Sequence, residues 1–142
     1  MLKRRIAVAS FPHWVGMKLL QLAPGSARIA MPVTTHLHQY QGILHGGVVA
    51  ALADTTATFA ALTIVPDGTD VVTIEFKVNF LAPVARGRAM AEARVIQPGR
   101  RVTVAEARVY GSPRKNPVAI GTFTMLNIPD ATTHSARRKP RQ

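Results

Sequence analysis

The residue types with the most obvious chemistry lie in one apolar segment near the middle of the chain. Residues 46–64 read GGVVAALADTTATFAALTI, and Asp54 is the single charged residue among them. Apolar side chains at nearly every position predict a long helix that is buried on nearly all faces. A carboxylate in such a helix is costly to desolvate unless it is paired or used. Asp54 is therefore a candidate general base, and the alternative is a structural carboxylate bonded to backbone or hydroxyl groups.

The start of the same helix has the features of an anion site. His45-Gly46-Gly47 precedes the apolar run, and the first N–H groups of a helix lack intrahelical partners and favour negative charge. Two glycines allow close backbone approach by a ligand, and His45 can donate a hydrogen bond to the substrate or to a loop carbonyl. A base and an oxyanion site together suggest hydrolysis of an activated acyl group; a plain helix-entry turn is the alternative.

The spacing between these two groups implies a second copy of the chain. Asp54 follows Gly46 by eight positions, which is about 12 Å along a helix axis. A carbonyl held at Gly46 is therefore out of reach of the same chain's Asp54. Two antiparallel helices related by a twofold axis would bring Asp54 of one copy to Gly46 of the other. We therefore expect a homodimer with two equivalent sites.

Composition and charge limit the classes of partner. The chain has 142 residues, 47% of them hydrophobic, which suits one domain over residues 1–130 followed by a loose basic tail over 131–142. The net charge of +11 favours phosphate-bearing partners such as nucleic acid or coenzyme A. Basic tails that only increase solubility are the alternative. Aromatic residues make up 6% of the chain, too few for a stacking nucleic-acid surface, so we expect no nucleic-acid partner.

Several chemistries are disfavoured by what the sequence lacks. There is no cysteine, which excludes a thiol nucleophile and fits a cytoplasmic location. No nucleophile elbow or phosphate loop is present. His36, His38 and His45 have no evident carboxylate co-ligand, so we expect neither a metal nor a redox cofactor. The start does not read as a signal peptide, and Asp54 near the centre of residues 45–65 argues against a membrane span.

The elements before the central helix are predicted from apolar spacing and breakers. Ser10 is a candidate cap for a helix whose apolar stripe reaches Leu22 and that Pro24-Gly25 ends. Residues 26–37 predict a strand, in which Pro32 indicates an edge position or a bulge.

The elements after the helix predict strands. Residues 70–80 alternate, with the polar Thr73, Glu75, Lys77 and Asn79 on one face and the apolar Val72, Ile74, Phe76, Val78 and Phe80 on the other. Further strands are expected over 88–96, 101–110 and 118–128, the first two joined by a tight turn at residues 97–100. This order predicts an α+β fold in which an antiparallel sheet wraps a long central helix.

These residues resemble a known family. The run Gly42-x-x-His45-Gly46-Gly47-x-x-x-x-Leu52-Ala53-Asp54 is similar to the PaaI-type branch of the hotdog-fold acyl-CoA thioesterases. The same holds for Leu22-x-Pro24-Gly25, for Val78-Asn79-Phe80-Leu81-x-Pro83 and for Gly99-Arg100-Arg101 with Ala105-Glu106. The resemblance covers residues 12 to 128 and implies a hotdog fold that works as a homodimer or homotetramer.

The resemblance also implies roles for individual residues. Asp54 would act as general base on water or as nucleophile, and the Gly46 amide, beside His45 and Gly47, would polarise the carbonyl. A hydroxyl one turn past the acid falls on Thr58, and a small polar residue on the adjacent strand falls on Thr73. Where many members carry Asn six residues before the histidine, this chain has Gln39, which keeps the amide and adds a methylene.

The implied substrate is a coenzyme A thioester with an aryl or a short to medium acyl group. Coenzyme A is then part of the substrate and not a cofactor, and its phosphates need cationic contacts. Arg100 and Arg101 at the predicted turn are the first candidates, and the further ones are Arg86, Arg88, Arg114 and Lys115. A non-catalytic acyl-CoA binder and a hotdog hydratase or dehydratase are the competing interpretations, and a basic nucleic-acid-binding module is a more distant one.

Overall fold

The computed structural model describes residues 9–113 and 115–130. In chain order the elements are helix α1 (Ser10–Trp14), strands β1 (Lys18–Ala23) and β2 (Ser26–Pro32), a 3-10 turn (Thr35–Leu37), helix α2 (Gly46–Leu62), and strands β3 (Thr69–Phe80), β4 (Arg88–Gln97), β5 (Val102–Gly111) and β6 (Pro117–Pro129). The basic residues near both chain ends, including the predicted tail over 131–142, lie outside the described residues.

The strands form one antiparallel sheet in the order β1-β2-β4-β5-β6-β3, and α2 packs against it. The buried helix residues Leu52 and Ala57 belong to the same hydrophobic core as small buried residues of the central strands, Ala91, Ala105 and Ala107. Small side chains in the sheet let the helix axis lie close to it. The predicted α+β architecture, an antiparallel sheet around one long helix, is confirmed.

The prediction of a helix reaching Leu22 is wrong. Helix α1 ends at Trp14, and residues 18–23 form β1, which pairs with β2. Gly16 has a φ of 78°, a conformation that ends a right-handed helix. Ser10 is also not the cap: it is the first helical residue, and Ala9 precedes it without a side-chain capping bond.

The strand predicted over residues 26–37 is shorter than expected. Strand β2 ends at Pro32, and the 3-10 turn follows. β2 lies between β1 and β4, so the expected edge position is wrong for the strand as a whole. Pro32 itself pairs only with Arg88 of β4, since the β1 pairing stops at Ala30. Because β1 does not reach position 32, the proline there removes no ladder hydrogen bond on the side that faces β1.

The predicted faces of β3 are wrong in its first half. A register shift lies between Thr73 and Glu75, opposite β6. Thr73 pairs with Met125 and Phe76 with Phe123, and both β6 residues are buried and two positions apart. Thr73 therefore shares the helix-facing side with Phe76. The bulge inserts one residue and inverts the alternation, so strict period-two counting placed Thr73 on the wrong face.

The predicted hairpin between β4 and β5 is confirmed. Residues 98–101 connect the two strands, and β6 holds this connection in place. The Asn127 side-chain amide donates to the Gly99 carbonyl at 2.7 Å, and the Asn127 N–H donates to the Arg101 carbonyl at 2.8 Å. The tip carrying Arg100 and Arg101 is thus fixed to the sheet.

Candidate active site

Asp54 occupies a half-buried position on α2, beside the edge strand β3. The Thr73 hydroxyl donates to Asp54 Oδ1 at 2.6 Å. Burial raises the pKa of Asp54 above its ordinary value, and the Thr73 hydrogen bond acts in the opposite direction. A carboxylate with a raised pKa and one oriented oxygen has the properties of a general base.

The central helix is not buried on every face, in contrast to the sequence-based expectation. Its buried residues, Leu52, Ala53 and Thr56 among them, lie against the sheet. Five less buried positions form an open stripe along the helix: Gly47, Ala51, Asp54, Thr55 and Thr58. Each of them lies three or four residues from another member of the stripe, so all five lie on one side. Asp54 and the half-buried Thr58, one turn later, therefore face away from the core of their own chain.

The start of α2 is organised by His45. His45 is the N-cap residue, and its Nδ1 accepts a hydrogen bond from the Gly47 N–H at 2.8 Å. With Nδ1 as acceptor, a neutral imidazole carries its proton on Nε2, which can donate to a ligand. Among residues 9–113 and 115–130, the Gly46 N–H has no hydrogen-bond acceptor. The amide that remains for an oxyanion is therefore that of Gly46, because Gly47 is engaged.

A pocket of about 480 Å³ lies beside Gly46. Gln39, Phe80 and Val84 contribute to its walls, together with the apolar Ile43, Leu44, Val49, Leu81, Ala82, Pro83 and Val118. A Cβ at position 46 would lie 3.3 Å from Phe80 Cζ, so the aromatic ring covers the glycine. The Gln39 side chain donates to the Gln41 side chain at 2.7 Å. The structure thus brings Gln39 and Gly46 to one pocket.

The predicted site residues form two groups within one chain. Gln39, His45 and Gly46 lie at the start of α2, whereas Asp54 and the Thr58 and Thr73 hydroxyls lie beyond its middle. The chain is continuous α-helix from Gly46 to Asp54, eight positions further on, which keeps the two groups about 12 Å apart along the axis. Asp54 does not line the pocket beside Gly46.

The basic residues also divide into two groups. Arg100 and Arg101 are exposed at the β4–β5 tip, and Arg86, Arg88 and Lys115 are exposed at the opposite end of these strands. The ten residues of β4 separate the two ends by about 30 Å. Arg114 lies outside the described residues.

Two structural features were not predicted from the sequence, one at this site and one on the outer face of the sheet. The contact of Phe80 with Gly46 depends on how β3 ends against α2, and only the motif around Asn79 pointed to this region. The outer face of the sheet carries two exposed ion pairs, Arg28–Glu92 and Arg94–Glu106, each at 2.7 Å. Exposed pairs of this kind add little stability, and nothing connects them to the pocket at Gly46.

Within the part of the chain that the structure describes, no group of three or more His, Asp or Glu side chains is placed to hold a metal ion. His36 Nδ1 lies 3.1 Å from the Thr34 hydroxyl, and His45 Nδ1 is engaged by Gly47. None of the helices in residues 9–113 and 115–130 is long and apolar enough to cross a membrane.

Comparison with known proteins identifies the class. Residues 41–117 match the model of the Thioesterase superfamily. The proofreading thioesterase EntH of Klebsiella pneumoniae is 34% identical over 96 residues, which is 68% of this chain and 70% of that protein. The 1,4-dihydroxy-2-naphthoyl-CoA hydrolase of Listeria monocytogenes is 30% identical over 101 residues, 71% of this chain and 82% of that protein. The crystal structure of a thioesterase family protein from Silicibacter pomeroyi superposes with a TM-score of 0.85 at 33% identity, over 90% of this chain and 96% of that one.

The chain belongs to the thioesterase superfamily, and its fold is the hotdog fold. It is a thioester hydrolase. This confirms the enzyme class and the fold that the residues around His45 and Asp54 predict. The roles of the individual site residues and the PaaI-type branch stay predictions.

The raised pKa of Asp54 predicts a stability effect with a definite sign. The folded state holds this proton more tightly than the unfolded state, so stability falls as pH rises from the ordinary carboxyl pKa through the raised value. Asp54→Asn removes this cost and keeps an acceptor for Thr73. We expect a higher melting temperature than wild type at about pH 7 and no difference at about pH 3. Equal melting temperatures of wild type and Asp54→Asn at neutral pH would contradict a pKa of Asp54 that is raised by burial.

Proposed function

We propose that this protein hydrolyses acyl-CoA thioesters at a site that two subunits share. The observation that carries the proposal is the separation within one chain: the pocket beside Gly46 excludes Asp54, which lies about 12 Å further along the same helix. A second copy with an antiparallel α2 removes this separation and completes the site. Each dimer then has two sites, and further assembly to a tetramer leaves them unchanged.

The surface around Asp54 supports this assembly. β3 is an edge strand of 12 residues, and a long edge strand can pair with another chain. Ile74, Phe76 and Phe80 on it are about half exposed, at 56%, 49% and 56%. The open stripe of α2 lies beside this edge, because Thr73 bonds Asp54 across the two elements. Pairing of two β3 edges would cover the exposed apolar residues and bring the two open stripes together.

The proposed reaction uses water as the nucleophile. Asp54 of one subunit takes a proton from water as the water attacks the thioester carbonyl, and direct attack by the carboxylate is the alternative. The Gly46 N–H of the other subunit donates to the oxygen that becomes negative. His45 Nε2–H and the Gln39 amide are further donors at this end of the helix. Collapse of the intermediate releases the carboxylic acid and coenzyme A as thiol.

Thr58 and Thr73 complete the acid's side of the site. Thr73 orients Asp54 through its hydroxyl, and Thr58 lies one turn further along the open stripe, where it can meet the water or the acyl group. Arg100, Arg101 and the other exposed cations are the proposed contacts of the coenzyme A phosphates. No metal or redox cofactor takes part in the proposed reaction.

The relatives support a coenzyme A conjugate as substrate. One of them is a hydrolase of an aryl-CoA, 1,4-dihydroxy-2-naphthoyl-CoA, and another is a proofreading thioesterase. By analogy with these relatives, we propose an aryl or a short to medium acyl-CoA as the substrate class. We also propose the PaaI-type branch as the subfamily. A cytoplasmic location is part of the proposal, since a chain without cysteine suits a reducing compartment.

Steady-state hydrolysis of a panel of acyl-CoAs tests this proposal. The panel should include short, medium, long and aryl thioesters, with release of free thiol as the signal and Asp54→Ala as the control. We expect turnover of at least one class and its loss in the variant. Tight binding without turnover of any thioester would indicate the non-catalytic binder, and formation of an enoyl product would indicate the hydratase or dehydratase.

A substitution at Gly46 tests the oxyanion assignment. The added Cβ of Gly46→Ala would lie 3.3 Å from the Phe80 ring, so either the ring or the helix start must shift. We expect kcat/KM to fall about tenfold, since small displacements of catalytic groups are costly. The melting temperature should not fall, because alanine favours the helix. Phe80→Ala in the same chain removes the contact and should restore most activity; failure to restore it would contradict the steric explanation.

A further inference from the structure

The only tryptophan of the chain lies on the protein surface. Trp14 is 65% exposed, and Phe11, three positions earlier on α1, is 48% exposed. Positions three apart lie on the same side of a helix, so the two rings form one surface, which we name the aromatic surface. Adjacent large apolar side chains that stay exposed are typical of a binding site.

Helix α1 has a fixed position on the core. Val15 and Met17, which follow it, are buried at 2% and 6% exposure, and the Met17 N–H donates to the Pro12 carbonyl at 2.8 Å. The Trp14 ring lies edge-on to the His36 ring, with the ring centroids 5.6 Å apart. The aromatic surface is therefore a defined feature of the fold.

The end of α1 lies beside the end of β2 and the loop before β4. A Cβ at Gly16 would lie 3.0 Å from Pro32 Cδ, so the residues that follow α1 touch the end of β2. Pro32 pairs with Arg88 of β4, and the Val33 N–H donates to the Gly87 carbonyl at 2.9 Å. The loop that precedes β4 is therefore next to the end of the helix that carries the aromatic surface.

The segments that form this part of the surface carry only positive charge. Residues 1–53 and 76–91 contain no Asp or Glu. Lys18, at the start of β1, is exposed, and so are Arg86 and Arg88. Three more cations precede α1 in the sequence: Lys3, Arg4 and Arg5. A surface of this charge favours an anionic partner.

We propose that the aromatic surface docks this protein on membranes that contain anionic lipids. Tryptophan and phenylalanine rings insert at the level of the lipid headgroups, and neighbouring lysine and arginine side chains attract anionic headgroups. The surface around Phe11 and Trp14 supplies both contributions. A second copy of the chain does not fit as the occupant, because two copies of a surface without carboxylates repel each other.

Docking on lipid is compatible with the proposed dimer. Helix α1 leads into β1, which is the edge strand opposite to β3 in the sheet. Pairing of two β3 edges therefore leaves the aromatic surface exposed in each copy. The inference goes beyond the proposed function and does not depend on it, because lipid binding is measured without a thioester.

Vesicle sedimentation with the full-length protein tests the inference. The vesicles consist of phosphatidylcholine alone or of phosphatidylcholine mixed with phosphatidylglycerol, and each kind is used at low and at high salt. Wild type is compared with Phe11→Ala/Trp14→Ala. The matched control is Ile96→Ala/Val102→Ala, which removes two exposed apolar side chains beside the β4–β5 hairpin, at the far end of the strands. The emission of Trp14 reports the environment of its ring in the wild type.

We expect wild type to bind the vesicles that contain phosphatidylglycerol, with a blue shift of the Trp14 emission. Added salt should weaken this binding, since ionic attraction is screened. Phe11→Ala/Trp14→Ala should bind about tenfold more weakly than wild type, whereas the control should match wild type. Each variant should keep the wild-type melting temperature, as expected for exposed positions.

Three results would overturn the inference. The first is a wild type that binds no vesicle or binds without a shift of the Trp14 emission. The second is a Phe11→Ala/Trp14→Ala protein that binds as tightly as wild type. The third is a change in the mass of the lipid-free assembly in that variant, which would identify the aromatic surface as a contact between subunits.

A second pair of variants tests the contribution of charge. Lys18→Glu and Arg108→Glu change the net charge equally, and both positions are exposed, but Arg108 lies on the interior strand β5. We expect Lys18→Glu to weaken binding to the phosphatidylglycerol vesicles about tenfold and Arg108→Glu to leave it close to that of wild type. Equal losses in the two variants would show that net charge alone drives binding, against a docking surface at α1.

Discussion

Replacement of Asp54 by Asn should lower kcat by about a thousandfold while the protein stays folded. Asn keeps the size of the side chain and an acceptor for the Thr73 hydroxyl, but it cannot take a proton from water. General acid–base catalysis contributes about 10²–10⁴ to a rate, so loss of the base should appear almost entirely in kcat. The measurement is steady-state hydrolysis of the best acyl-CoA of the panel, with KM determined in parallel.

Asp67→Asn is the matched control for this substitution. Asp67 is exposed in the turn after α2, so its neutralisation changes the net charge equally without touching the site. It should leave kcat within about twofold of wild type, as expected for a surface position. If the Asp54→Asn enzyme kept more than a tenth of the wild-type kcat, Asp54 would have no catalytic role. It would then be a structural carboxylate bonded to Thr73.

A charge on the edge of β3 should abolish both dimer formation and activity. Ile74 is 56% exposed at the bulge of this edge strand, and inward-facing or edge lysines oppose strand pairing. Ile74→Lys should therefore give a monomer with its fold intact. If each site needs two subunits, kcat/KM per chain should fall at least a hundredfold. Light scattering coupled to size exclusion gives the mass, and the same fractions give the activity.

Ile120→Lys controls for the chemical change at Ile74. Ile120 lies on the interior strand β6 and is 38% exposed. A lysine there would be exposed to solvent, but it would not lie on an unpaired edge. It should remain an active dimer. A monomeric Ile74→Lys protein with wild-type activity would show that one chain contains a complete site, against the proposed assembly.

The architecture was predictable because its main signals are local. The apolar run around Asp54 and the hairpin residues before Arg100 each specify one element through composition or turn chemistry. The predictions were wrong where strand pairing in the tertiary structure determines which element forms. Leu19 and Leu22 fit a helical stripe as well as an edge strand, and only Gly16 at positive φ and the partner β2 select the strand.

The bulge in β3 shows most clearly what strand periodicity cannot reveal. Thr73 reads as a polar residue opposite an apolar face, yet it lies on the helix side and bonds Asp54. The extra residue between Thr73 and Glu75 is defined only by the pairing of β3 with β6, and no local sequence pattern predicts it. The resemblance implied a role for Thr73 that alternation alone had placed on the wrong side.

For the site itself, residue types and spacing predicted the separation of Gly46 from Asp54. They did not predict the positions of the cations. Helical rise alone separates Gly46 from Asp54, and the structure retains that separation because α2 is continuous between them. The six basic residues proposed for phosphate binding formed one set in the sequence. The five of them that the structure describes separate because β4 and β5 run antiparallel, which places a hairpin tip and its strand ends far apart.

The most direct test of a shared site mixes two inactive proteins. Asp54→Asn lacks the base and keeps Gly46, whereas Gly46→Val blocks the amide against Phe80 and keeps Asp54. After unfolding and refolding together in equal amounts, half of the dimers should be mixed, and each mixed dimer has one intact site. The account predicts recovery of about a quarter of the wild-type specific activity. A mixture in which mixed dimers form but activity stays at the level of the separate variants would contradict it.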